Sequence, residues 1–401
     1  MKEDFFKYQA QTSSQPLALE ISKASGTYVY DTKGKSYLDF IAGVSANTLG
    51  HNHPKVSEAI KNQVDCYTHV MVYGEFIQQP QVNLCKLLAE NLPNSLNTVY
   101  LTNSGTEATE GALKLAKRFT GRSEIIAAKN GYHGNTQGAM SVCGAEEQNS
   151  AFRPLIPGIQ FIEFNNILDL DKITSKTAAV ILETIQGGAG FIEPKNNYLQ
   201  KVKLACENVG ALLILDEIQT GVGRTGKFYG FENYNVIPDI FVTGKGLGGG
   251  MPIGAFITSN QLMSCLKQNP KLGHITTFGG HPVIAAAALA TLTELFNSNL
   301  IEQTVQKEAL IRKLLVHPLI TEIRGRGLML AAIVESSEIA SEIILKCLDK
   351  GLLLFWLLFE EKAMRITPPL TISEDEIREG CAIIIEVMNE IIAKIENTNS
   401  H

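Results

Sequence analysis

Between about residues 97 and 245, short apolar runs alternate with stretches of helical periodicity. The runs 99–101, 125–128, 178–182, 211–215 and 240–242 are too short for helices and read as buried strands. Between them, 107–119 and 198–208 carry apolar residues at helical spacing. Strands without a polar face, joined by helices, form a mostly parallel sheet covered on both sides. The chain is therefore expected to be an α/β protein. The stretch 26–41 alternates and turns at Thr32-Lys33-Gly34, a hairpin signal. Helical patterns follow at 283–296, 302–315 and 374–395, with a strand pattern at 322–334. We expect a large α/β domain over 50–290, and a smaller α+β domain combining 1–49 with 291–401. A chain of 401 residues has room for both.

Composition removes several classes of function. There are 41 acidic residues against 35 basic ones and no basic run, so nucleic-acid binding has no electrostatic footprint. The apolar run 351–359 (GLLLFWLLF) is too short to span a bilayer. The first fifteen residues carry early acids and no apolar core, unlike a signal peptide. Seven cysteines, none spaced as CxxC, favour reduced thiols in a cytoplasmic protein over disulfides or a zinc site.

The 34 glycines fall in clusters, which mark sharp turns or close backbone approach to a ligand. Two clusters match G-x-G-x-x-G: GVGRTG at 221–226 and GKGLGG at 244–249. Each follows an expected strand, but neither opens a helix, which opposes dinucleotide binding. Their neighbours say more. Asp216 ends the run ALLIL, and Lys245 follows DIFVT between Gly244 and Gly246. Parallel sheets bind ligands at the carboxyl ends of their strands. A strand-end lysine can be a nucleophile and a strand-end carboxylate can hold a pyridinium nitrogen protonated, as pyridoxal phosphate requires. Taken singly, each is better read as an ordinary loop residue; the pairing is what points to the cofactor. That cofactor also needs a phosphate cup, and Asn103-Ser104-Gly105-Thr106 lies between a strand and a helix. Ser104 or Thr106 reads equally well as a helix cap. Tyr132, between Gly131 and His133-Gly134, offers an aromatic face.

Together these elements resemble the class III aminotransferases, pyridoxal-phosphate enzymes of the aspartate-aminotransferase-like fold (fold type I), over essentially the whole chain. The likeness rests on LGHNHP (49–54), NSGTEATEGALKLAKRFTG (103–121), LDEIQTGVGRTGKFYGFE (215–232), TGKGLGGGMPIGA (243–255), TTFGGHP (276–282) and MRITPPL (364–370). The resemblance implies roles. Lys245 would form the Schiff base and shuttle the proton in a ping-pong reaction, while Asp216 would meet the pyridine nitrogen. Gln219 would approach the ring hydroxyl, Ile218 and Tyr132 would sandwich the ring, and Gly105 and Thr106 would hold the phosphate. Ser104, His133 and Glu183 complete the expected cofactor-binding set. Thr277 would reach the partner subunit's cofactor across a homodimer interface. His51 and His53 would belong to a turn before a helix, so no metal is expected.

For substrate, the resemblance points to Tyr28, Val44, Asn135, Gly188 and Arg365. Arg365 looks like the arginine that clamps a carboxylate, and Tyr28 like a tyrosine at the substrate carboxylate. Val44 matches an aliphatic position of the acetylornithine and aminobutyrate enzymes. Two positions depart from the family. Asn135 (HGNT) replaces an arginine, and Gly188 (QGGAG) replaces a glutamate that pairs with the clamp. The layout implies transfer of an amino group from an acetylornithine- or ornithine-type ω-amino donor to a 2-oxo acid such as 2-oxoglutarate. The departures favour, as an alternative, an ω-amino acid or amine donor with pyruvate or glyoxylate, unless an arginine such as Arg153 compensates. The scaffold also serves non-transaminating pyridoxal-phosphate enzymes.

Overall fold

The computed structural model describes residues 1–399. Its centre is a seven-stranded sheet in the order Thr98–Thr102, Gly254–Thr258, Ile240–Gly244, Leu212–Asp216, Thr177–Glu183, Glu124–Ala128, Ile159–Ile162. Only Gly254–Thr258 runs antiparallel to its neighbours. The central strands are buried along their whole length, which accounts for their continuous apolar runs. In register, Glu183 pairs with Asp216, and Asp216 with Val242. The carboxyl ends of three neighbouring strands therefore deliver Glu183, Asp216 and Lys245 to one edge.

Helix Gly105–Thr120 begins at this edge, and its boundaries follow from local chemistry. Ser104 caps its first turn, accepting from the Glu107 N–H, and Glu107 reaches back to the Asn103 N–H at 2.8 Å. Reciprocal capping of this kind satisfies donors that the helix leaves free. At the other end Gly121 adopts φ +68°, the left-handed conformation that stops a helix. Gly111 allows the helix onto the sheet: a Cβ there would lie 2.3 Å from the Phe256 ring.

Two smaller sheets flank the centre. Ile21–Ser25, Tyr28–Asp31 and Ser36–Asp39 form a meander whose last strand pairs in parallel with Leu352–Leu353. The N-terminal hairpin is thus joined to the C-terminal part of the chain. The other sheet has the order Ile320–Arg326, Met329–Val334, Ala363–Ile366, Phe355–Trp356, all antiparallel. The pattern at 322–334, read from sequence as one strand, is two. The chain reverses between them, and Gly325 and Gly327 take φ +95° and +62°. Among the described residues no single helix is long and apolar enough to cross a membrane.

Candidate active site

A cavity of about 560 Å³ opens at the carboxyl edge of the central sheet. That volume suits a cofactor with a small substrate. All but three of the expected site residues line it; the exceptions are Ser104, Thr277 and Tyr28.

Lys245 leaves the end of its strand at φ +41°, an uncommon conformation for a residue with a side chain. Backbone strain of this kind concentrates at functional positions. The second glycine fingerprint dissolves here into a short 3₁₀ turn, Lys245–Gly248. The flanking glycines serve packing rather than open access to the lysine. A Cβ on Gly246 would lie 2.3 Å from the Thr48 hydroxyl, and one on Gly244 3.0 Å from the Ile253 carbonyl oxygen. Burial, aided by the charge of Arg365, lowers the Lys245 pKa to about 8, against the raising charges of Asp216 and Glu183. The amine is thus a usable nucleophile near neutral pH.

Asp216 is buried and held from two sides. One oxygen accepts from the Ile218 N–H at 3.0 Å, and the other lies 2.7 Å from His133 Nδ1. Burial alone would lower the His133 pKa, but its hydrogen bond to Asp216 and the charges of Asp216 and Glu183 raise it. His133 is therefore a positioning group for Asp216. Glu183 accepts from the backbone N–H of Tyr132 (3.1 Å) and of Gly187 (2.9 Å), tying two loops to the strand end. Its pKa rises to about 7, chiefly through burial, assisted by Asp216 and opposed by His133 and the two N–H donors.

The first turn of helix Gly105–Thr120 faces the cavity through Gly105 and Thr106. A helix N-terminus offers N–H donors and a positive dipole end to an anion. The Thr106 hydroxyl lies 2.8 Å from that of Thr136, which donates to Glu110. Gly134, at φ +132°, is required here, because its Cβ would stand 2.2 Å from the Thr106 hydroxyl. Ile218 packs against Gly105 on one side of the cavity, and Tyr132, 38% exposed, lies on the lining. A buried amine, a fixed carboxylate, an anion cup and an aromatic side fit pyridoxal phosphate.

Arg365 is buried, and its Nε and Nη1 have no hydrogen-bond partner. Burial lowers its pKa to about 10, still well charged at neutral pH. An unpaired buried cation lining a cavity is a strong anion acceptor. Arg153 offers no compensation for Asn135: it is exposed, pairs with Glu146 and lines a different cavity. Tyr28 donates to Glu379 at 3.1 Å and does not line the cavity. Thr277 lies exposed, outside this chain's cavity. His51 is 2.7 Å from Asp39, in the turn before helix Pro54–Cys66. Sequence reasoning missed Ile185, Thr220 and the wall from Phe355 to Leu358. The wall's signal was present in the apolar run 351–359, weighed only for its length.

The fold and site define a pyridoxal-phosphate enzyme of fold type I. The family described as aminotransferase class-III matches residues 8–388, and the chain belongs to it. An acetylornithine aminotransferase of Caldanaerobacter subterraneus is 40% identical over 382 residues, covering 92% of this chain and 94% of its own. A putrescine aminotransferase of Pectobacterium atrosepticum is 40% identical over 394 residues, covering 94% and 83%. The ornithine aminotransferase structure from Toxoplasma gondii superposes with a TM-score of 0.90 at 32% identity, covering 98% and 96%. This chain is accordingly an aminotransferase, and pyridoxal phosphate is its cofactor.

Lys245 gives a testable pH dependence. Cofactor uptake by the apoenzyme is expected to quicken with rising pH and level off above about 8, as the amine becomes neutral. Arg365→Leu removes a charge that disfavours the ammonium, so it should move the inflection to higher pH. Stopped-flow absorbance reads both, and an unmoved inflection counts against direct coupling.

Proposed function

We propose that the chain transfers the terminal amine of an ω-amino donor of the acetylornithine or ornithine type, bearing one carboxylate, to a 2-oxo acid. The observation that carries this reading is Arg365, a buried unpaired cation in the same cavity as Lys245. The relatives' names and near-full-length matches support the donor type. When bound, pyridoxal phosphate supplies the electron sink. The protein supplies the rest. Lys245 yields to the incoming amine and, once free, moves a proton from the donor carbon. Asp216, fixed by His133, provides negative charge at the ring nitrogen. Arg365 orients the substrate carboxylate. Two half-reactions share this machinery, giving ping-pong kinetics.

Asn135 and Gly188 favour a second reading for the acceptor. Among the described lining residues Lys245 is the only lysine and Arg365 the only arginine, and His133 is engaged with Asp216. With Lys245 committed to the cofactor, a dicarboxylate has a partner for one end only. Pyruvate or glyoxylate then suits the cavity better than 2-oxoglutarate. A panel of donors against these acceptors tests both readings. If acetylornithine with 2-oxoglutarate is inert while another pair turns over, the first reading fails. Arg365→Leu is expected to weaken carboxylate substrates about 10- to 100-fold in KM, the worth of a hydrogen bond to a charged group, and to spare uncharged amines. Equal losses on both would remove Arg365 from carboxylate binding.

We place the enzyme in the cytoplasm as a homodimer, with Thr277 contributed to the partner's cofactor. Its exposed neighbour Phe278, together with the exposed Phe76 and Ile77, supports an interface there. We take 50–290 as the cofactor-binding domain and 1–49 with 291–401 as the second.

A further inference from the structure

Among the described residues, the wall of the cavity around Gly188 offers no free carboxylate to a second amine. Phe355 and Trp356 form a short strand against Ala363–Ile366, with Phe355 directly opposite Arg365. Directly opposed residues on an antiparallel pair share a face. Trp356 is anchored by its indole N–H, which donates to Ser341 at 3.0 Å, and Leu357 is buried beside Ile185. The chain then crosses Gly188, where the Phe359 N–H donates to the Gly188 carbonyl at 2.9 Å. A Cβ added to Gly188 would stand 2.8 Å from the Phe359 ring and 3.5 Å from Leu358 Cβ. Phe359 thus takes the space that any side chain at position 188 would need. The carboxylates that do line the cavity are committed elsewhere, Glu183 to two backbone N–H groups and Asp216 to His133 and Ile218. Glu360, next along the chain, is paired with Arg324 at 3.0 Å.

We propose that this site selects ω-amino acids whose arm carries one carboxylate and no second free ammonium, because Gly188, kept bare by the Phe359 ring, leaves this wall without a carboxylate. Donors with a plain methylene arm or an acylated α-nitrogen fit. Diamino acids and diamines bring an ammonium against Phe355, Leu358 and Arg365. No carboxylate of this wall is free to pair that charge, and Arg365 repels it. This inference rests on the transaminase reading and narrows its donor.

The test is a matched trio of donors mixed singly with holoenzyme, without acceptor, following loss of the cofactor's visible absorbance. 5-Aminopentanoate and N2-acetylornithine share the five-carbon arm and terminal amine of ornithine and differ in the α-nitrogen. Both are expected to react at least about tenfold faster than ornithine per unit concentration, the scale of one like-charge contact at a partly exposed site. Ornithine within tenfold of 5-aminopentanoate overturns the proposal but leaves the transaminase reading intact. No conversion by any donor, diamines and α-amino acids included, overturns that reading and the proposal with it. The Gly188→Glu/Phe359→Ala pair supplies a carboxylate and the room for it, and should cut the preference for 5-aminopentanoate over ornithine at least tenfold. Phe359→Ala alone, which adds room without charge, should leave the preference unchanged. Leu358→Glu places a carboxylate on the same wall at a half-exposed position tolerant of change, and should act in the direction of the pair. A preference that stays fixed in folded forms of both carboxylate variants overturns the proposal that the missing wall carboxylate sets it.

Discussion

Lys245→Ala is expected to lower transamination by at least about 10³-fold, the scale of a positioned proton-transfer group, with the lost covalent role adding to it. The lysine is buried at the cavity edge with a pKa lowered to about 8, and among the described residues no second lysine lines the cavity. No neighbour can therefore substitute for it. Borohydride treatment of wild-type holoenzyme should fix pyridoxal phosphate to the peptide containing Lys245, and peptide mass reads this directly. The variant should show no adduct, while still holding some cofactor through Gly105, Thr106 and Asp216. Folding should survive, because the change removes a buried amine whose charged form is disfavoured. Turnover near the wild-type rate, or an adduct on another lysine, would refute the assignment.

The large sheet was legible because its strands are buried on both faces and interrupted by helices of clear period. The strands 99–101, 125–128, 178–182, 211–215 and 240–242 fall within Thr98–Thr102, Glu124–Ala128, Thr177–Glu183, Leu212–Asp216 and, for the last, Ile240–Gly244, apart from Ala211 one residue outside. Ile159–Ile162 was hidden because it is an edge strand, only partly buried, and too mixed to stand out. Gly254–Thr258 was hidden by the glycines and proline before it. It is also the one strand that breaks the parallel pattern, so alternation with helices could not announce it.

Much of the cavity was legible because Lys245, Asp216 and the Ser104–Thr106 turn all sit at strand or helix ends, where chemistry and chain geometry coincide. His133 carried no comparable signal. Its contact to Asp216 joins residues 83 positions apart, and only the fold brings them together. The apolar wall was misread for a related reason. A run such as LLLFWLLF advertises burial, and nothing local says that its stretch from Phe355 to Leu358 lines a cavity while Leu352 and Leu354 are buried in the core. Tyr28 shows the converse. A matching residue type in a matching segment donates its hydroxyl to Glu379 on the C-terminal helix instead of lining the cavity.

Asp216→Ala is expected to remove most activity, about 10²–10⁴-fold, while retaining weakened cofactor binding. Lys245, the anion cup and Tyr132 remain in place, so occupancy and turnover should separate. Visible absorbance reads the first and steady-state rate the second. The same change gives a stability signature that a mere loss of packing would lack. Asp216 is the source of the raised His133 pKa, against the lowering effect of burial. A raised imidazole pKa contributes stability that is fully present below the ordinary value of about 6.5 and lost as pH rises through the folded-state value. The variant apoenzyme should therefore fall furthest behind wild type in mildly acidic solution, between about pH 5 and 6.5, with the gap narrowing as pH rises. Denaturant unfolding across that range measures it. A gap independent of pH would mean that His133 is not charged by Asp216 and meets it only as a neutral Nδ1–H donor.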